Sequence, residues 1–349
     1  MKKSLFIAVF AIFALVGCAN KNSIVIKGEI NKLEGSVILY RGEDKIIEGD
    51  VRDGEFEIKT EITSPDFYML KSGKDEFITR LILEPGDLVN LTGEMSQEQY
   101  KDPVIKVTGG RLQGQMAKYR ADMDAYYNSL PPEERGKATD ESLRHFRETM
   151  KKHIEINRDN LYGLQLLGMM IEDMDANYVA QLLQELPANI TEHPSAIRLK
   201  KRSEMILKTE PGQPYIDITL SNKDGKEISV SSLLAEGKYV LIDFWSSSCV
   251  PCMGEMPFLR AAYETYKEKG FEIYAVSNDI NRDKWLEAMD KVGMIWTSVT
   301  SFQNWEDQFV KAYGVSRIPA NFLINPQGVI IGKNLRGVQV ETKLAEIFK

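Results

Sequence analysis

Two thiols in Cys249-Val250-Pro251-Cys252 are the groups of this 349-residue chain best suited to chemistry. At a helix start this spacing puts the first thiol at the cap, where unpaired backbone N–H groups and the positive end of the helix dipole favour a thiolate. The second thiol lies one turn in, deeper and less acidic, and close enough to displace a group bonded to the first. Pro251 fits the first turn, where a missing N–H donor costs nothing. The chemistry this serves is thiol-disulfide exchange. A zinc site would need two further ligands. The remaining cysteine, Cys18, lies near the N-terminus, and His145, His153 and His193 fall in a region of different texture, so no metal is expected. No cofactor is expected either, because the two thiols themselves carry the electrons.

The elements that must position these thiols alternate. Tyr239–Trp245 reads as a buried strand, Cys252–Lys269 as a helix, Phe271–Ser277 as a strand, and a helix follows near Arg282–Val292. Two strands, Ala320–Ile324 and Val329–Gly332, are joined by the turn Asn325-Pro326-Gln327-Gly328, and a helix over Glu341–Phe348 closes the chain. This order specifies a central sheet flanked by helices. The domain is expected over residues 211–349, after the linker Lys208-Thr209-Glu210-Pro211-Gly212-Gln213-Pro214, whose prolines and glycine continue neither periodicity.

Upstream, residues 22–110 show short alternating runs such as Val37-Ile38-Leu39-Tyr40 and Leu88-Val89-Asn90-Leu91 between Gly, Asp and Asn turns. These predict an antiparallel β domain. Asp53-Gly54 is expected to turn a hairpin between Ile46–Val51 and Glu55–Lys59. Residues 111–208 change to apolar positions three and four apart, as in Met116, Tyr119, Met123 and Tyr126, and read as a helical segment packed on its apolar residues.

The first residues form an address. Lys2 and Lys3 precede an apolar run from Leu5 to Val16, the head and core of a secretory signal over residues 1–18, too short to span a bilayer comfortably. Leu15-Val16-Gly17-Cys18 resembles the bacterial lipobox, which implies cleavage before Cys18 and its lipidation. The expected location is the cell envelope, lipid-anchored and facing the periplasm. The absence of Asp after Cys18 favours the outer membrane. A net charge of −7 with mixed Lys, Arg, Asp and Glu leaves no basic stripe, so no nucleic-acid partner is expected.

Asp243-Phe244-Trp245-Ser246-Ser247-Ser248-Cys249-Val250-Pro251-Cys252 resembles the active-site segment of the thioredoxin superfamily. With Met253-Gly254-Glu255-Met256-Pro257 the likeness narrows to the envelope-facing TlpA/ResA-like branch of thiol-disulfide oxidoreductases. The upstream β region, with Leu83-Glu84-Pro85-Gly86-Asp87 as a recurring hairpin, resembles the domain of unassigned function that often precedes such a domain in envelope lipoproteins. The resemblance implies a redox-active Cys249–Cys252 disulfide and a cis-proline at Pro319 facing it. It implies that Asp243 is a buried carboxylate moving the proton of Cys252, and that Glu255 is a second tuner of the thiols. Trp245 is expected beside the site. Ser248 departs from the pattern, which has an aromatic residue before the first cysteine.

The expected function is disulfide reduction in protein clients, with electrons from a membrane donor. The Val250-Pro251 pair resembles reductases, whereas oxidants carry a His beside the second cysteine. An isomerase is the nearest alternative, since isomerases use an extra domain to form homo-oligomers. A client-binding module with secondary redox activity is another. A thiol peroxidase fits poorly, because its Pro-x-x-x-Thr-x-x-Cys pattern lacks its proline here.

Overall fold

The computed structural model describes residues 21–96, 102–137 and 139–349. The expected signal and Cys18 lie outside the described residues. The chain forms two compact units: the first runs to Met169 and includes Leu186–His193, and the second comprises Met170–Glu185 and Pro194–Lys349.

The first unit holds strands β1 (Ser23–Asn31), β2 (Ser36–Arg41), β3 (Asp44–Asp50), β4 (Glu55–Glu61), β5 (Asp66–Ser72), β6 (Phe77–Leu83), β7 (Leu88–Glu94) and β8 (Val104–Gly109). They make two four-stranded sheets, ordered β4-β1-β7-β8 and β3-β2-β5-β6. Alternation along β1 and β4 puts Ile24, Ile26, Phe56 and Ile58 into one shared core with Val37, Leu39, Leu70 and Leu81. Each pairing is antiparallel except β1 with β7, which is parallel. Alternation gives a strand's face but not the direction of a partner remote in sequence.

Both expected hairpins are corrected. Asp53 and Gly54 do turn with positive φ, closed by paired hydrogen bonds of 2.9 Å between Arg52 and Glu55. Yet β3 pairs with β2 and β4 with β1, so the turn carries the chain from one sheet to the other. Leu83–Asp87 likewise joins β6 and β7, which lie in different sheets. A tight turn fixes local direction, whereas the burial of each strand's apolar face decides which sheet it joins.

Helices α1 (Arg111–Ser129), α2 (Asp140–Ile156), α3 (Leu161–Met170), α4 (Ala176–Gln184), α5 (Ala188–Thr191) and α6 (Pro194–Leu207) follow. Thr139 and Ser142 close a reciprocal cap at the start of α2. The helical stretch is divided between the units, with α4 and α6 in the second.

The rest of the second unit contains β9 (Thr219–Asn222), β10 (Glu227–Ser229), α7 (Val230–Ala235), β11 (Tyr239–Trp245), α8 (Val250–Tyr266), β12 (Phe271–Ser277), α9 (Arg282–Lys291), β13 (Thr297–Thr300), α10 (Gln308–Ala312), β14 (Ala320–Ile324), β15 (Ile330–Lys333) and α11 (Val338–Ile347). The seven strands are ordered β10-β9-β13-β12-β11-β14-β15. This is a thioredoxin fold. In β11, Val240, Ile242 and Phe244 enter the core on one face, while Leu241 and Trp245 enter the core that α8, α9 and α11 cover. Among the described residues no helix is long and apolar enough to cross a membrane.

Candidate active site

Cys249 is the N-cap of α8, and its Sγ accepts a 3.1 Å hydrogen bond from the Cys252 backbone N–H. The two cysteines are joined in a disulfide with their Cα atoms 5.2 Å apart. Cys249 is half-buried, while Cys252 is 1% exposed among Trp245, Met256 and Leu259. A client can therefore reach only the first sulfur readily. The helix begins at Val250 rather than at Cys252, because Cys249 caps it.

The loop before the cap is tied down by Asp279. Its carboxylate accepts from the Ser247 N–H at 2.9 Å, the Ser247 hydroxyl at 2.6 Å and the Ser277 hydroxyl at 2.7 Å. The Cys249 N–H donates to the Ser246 carbonyl at 3.1 Å. Asp279 is not legible in the sequence, since nothing in its own surroundings marks a contact with a loop at the end of another strand.

Asp243 is 3% exposed in β11, flanked by Ala275 of β12 and Asn321 of β14. Period-two alternation puts it on the face of Leu241 and Trp245, the face α8 covers. Burial pushes its carboxyl up to about 7. The charge of Arg336 pulls it down, and that of Glu255 pushes it further up. Glu255 is half-buried on α8 and accepts a 2.8 Å hydrogen bond from the Gly337 N–H. The Ile318–Pro319 peptide bond is cis.

Ser248 is exposed, and apolar surface comes from elsewhere. A groove of about 590 Å³ runs beside Cys249, with Ser248, Ile280, Trp305, Arg317 and Ile318 among its walls. Ile280 is 71% exposed, and Val250, next to Cys249, is 80% exposed. These loop residues follow no periodicity, so the sequence does not reveal them as neighbours. Among the described residues no cluster of three or more His, Cys, Asp or Glu is arranged to hold a metal ion.

Residues 211–333 match the AhpC/TSA family. The thiol-disulfide oxidoreductase ResA of Bacillus thuringiensis subsp. konkukian is 32% identical over 153 residues, covering 41% of this chain and 79% of that protein. The chain belongs to the ResA-like thiol-disulfide oxidoreductases. ResA of Bacillus subtilis is also 32% identical, over 133 residues, with 38% of this chain and 71% of the relative covered. Among solved structures, the thioredoxin domain of a thiol-disulfide oxidoreductase from Bacteroides vulgatus is 30% identical, with a TM-score of 0.38, covering 40% of this chain and 99% of that one. As an oxidoreductase of this family, the chain has its matched region in the second unit, around Cys249 and Cys252.

Proposed function

We propose that this chain is an envelope-facing, lipid-anchored disulfide reductase acting on protein disulfides, with residues 211–349 as its working domain. The observation that carries the reading is the asymmetry of the pair: Cys249 half-buried at a helix cap, Cys252 buried beneath it. In the reduced protein the Cys249 thiolate attacks a client disulfide. The client's S–S bond breaks, one client sulfur leaves as a thiolate, and the other is held in a mixed disulfide. Cys252 then attacks the Cys249 sulfur, its proton passing to the Asp243 carboxylate, and the client leaves as a dithiol. Two electrons have moved to the client, and the Cys249–Cys252 disulfide remains. A membrane electron donor resets it through the same exchange in reverse. Pro319 faces the pair and leaves the backbone before it free to align a client strand.

The test is the reduction potential of the pair in the full chain, equilibrated against dithiothreitol and glutathione buffers with thiol trapping. A value near the reductase end of the thioredoxin-like range, about −270 mV, is expected. A value near the oxidant end, about −120 mV, sinks the reductase reading and favours disulfide formation or isomerisation.

A further inference from the structure

The segment Asn334–Gly337, between β15 and α11, is fastened to the site at three places. The Asn321 side chain grips the Leu335 backbone from both sides, donating to its carbonyl and accepting from its N–H, each at 2.8 Å. Arg336 donates through Nη2 to the carbonyl of Pro319, and through Nη1 to the Leu335 carbonyl at 3.1 Å. Gly337 donates its N–H to Glu255 at 2.8 Å. Gly337 has a φ of 52°, which a side chain there would adopt only with strain. Asn321 is itself the β14 partner of Asp243 in the sheet. The strap thus joins the cis-proline loop, the active-site helix and β14, the strand paired with the one that carries the buried acid.

The half-buried guanidinium of Arg336 is placed where those three meet. The charged groups that act on it are Glu255 on α8, Asp243 on β11, Arg317 in the loop before Pro319, and Glu172 ahead of α4. Of these the two carboxylates at the site, Glu255 and Asp243, have the larger effects. Burial costs the cation, and the carboxylates compensate it. From the side of Asp243, Arg336 is the attracting charge and Glu255 the repelling one. A carboxyl in an apolar core with no cation near would stay protonated and could accept nothing from Cys252.

We infer that Arg336 is a positioning residue for the proton step: it is the shared counter-cation of Asp243 and Glu255 and ties that charge balance to the Pro319 loop. This rests on Asp243 being the proton acceptor of Cys252. Arg336 touches no reacting sulfur. It acts by setting the pH at which Asp243 is ionised, and therefore the pH at which Cys252 resolves a mixed disulfide. Removing Arg336 should move that pH up, and removing the charge of Glu255 should move it down. A residue that only holds the fold would not give opposite signs.

The full-length reduced protein, mixed with Ellman's reagent, isolates the step. Attack by Cys249 releases a first thionitrobenzoate and leaves a second in a mixed disulfide with Cys249. Attack by Cys252 releases that second one with a measurable rate. The wild-type rate of the second release should rise with pH through an inflection near 7. In Arg336→Gln the inflection moves up by about one pH unit, the lower end of what a neighbouring opposite charge does to a carboxyl. The second release then falls about five-fold at pH 7 and recovers by pH 9. Arg336→Lys, which keeps the charge, restores much of the profile. Glu255→Gln moves the inflection down and raises the rate about five-fold at pH 6. An Arg336→Gln rate lowered equally at every pH, or unchanged, overturns the assignment. Should Arg336→Gln fail to fold, Glu255→Gln decides, and an unmoved inflection there overturns it. Asp243→Asn separates the two levels. An inflection that persists without Asp243 removes the proton-acceptor reading and the role of Arg336 with it. One lost in Asp243→Asn but unmoved in Arg336→Gln overturns Arg336 alone.

Discussion

An acid whose carboxyl titrates near neutrality inside a sheet must leave a mark on stability as well as on rate. Asp243 goes from an ordinary 3.8 to about 7 on folding, chiefly through burial. Between those values the folded chain holds a proton that the unfolded chain has lost, so stability falls as pH rises. The protonated form's contribution is fully present below about 4 and is gone once pH passes through about 7. At about 1.4 kcal/mol per unit, the whole effect is on the order of 4 kcal/mol. Asp243→Asn, neutral at every pH, should therefore be on the order of 4 kcal/mol more stable than the wild type at pH 8, with the gap closing by pH 4. Urea unfolding of the oxidised proteins across that range measures it, and a constant difference would contradict a buried, titrating acid. The cysteines make their own prediction. With Cys252→Ser the mixed disulfide at Cys249 cannot be resolved, so clients should accumulate as reducible adducts on non-reducing gels, whereas Cys249→Ser should trap none. Asp243, Cys249, Cys252 and Pro319 stand out in the sequence because each belongs to a short motif or interrupts an apolar run. Arg336 does not, since its meaning comes from Asp243, Glu255 and Pro319, all distant in the chain and gathered by β14, α8 and the strap.

Long elements such as β11 and β12, which are apolar and buried almost throughout, are legible because several residues in a row make the same burial choice. Strands as short as β9, β10 and β13 have three or four residues, too few to show alternation, and they were not expected. Nor could periodicity show that part of the helical stretch serves the thioredoxin fold. Glu172, just before α4, has a side chain only 9% exposed and pairs with Arg202 at 2.6 Å and Arg317 at 2.8 Å. It also accepts from the Ser316 hydroxyl at 2.7 Å, while Asp173 takes the other arm of Arg317 at 2.7 Å. The loop leading to Pro319 is thereby clamped by residues upstream of the matched region 211–333. Glu172 is shielded but Arg317 is half exposed, so solvent takes over part of what the missing carboxylate supplied. Glu172→Ala is expected to lose about 1 kcal/mol, read as a lower urea midpoint with an unchanged slope. Exchange by the part that remains folded should slow as well, because the Pro319 loop loses its anchor. A midpoint within error of the wild type would mean that the clamp is a solvent-screened surface pair.

For the whole molecule, the change of texture along the chain shows that there is more than one folded body, and the sandwich has a core of its own. What holds the molecule at its place of work is a separate matter, which we assign to residues 1–18. A single acyl chain binds a bilayer only marginally, whereas the lipidation proposed at Cys18 supplies several chains at about 0.8 kcal/mol per buried CH₂. Its net charge of −7 is repelled by anionic headgroups and gives no electrostatic attachment. Membrane attachment through the acyl chains proposed at Cys18 should therefore be insensitive to salt. Intact-mass measurement on detergent-extracted protein is expected to find a chain that begins at Cys18 and carries glycerol-linked and amide-linked acyl groups. Cys18→Ser should yield no acylated species. A wild-type mass that begins at Met1 would make the apolar run an uncleaved anchor, and one without lipid that begins after Cys18 would make it an ordinary export signal. Either would leave the exchange chemistry of Cys249 and Cys252 untouched while changing which electron donors and clients the dithiol can meet.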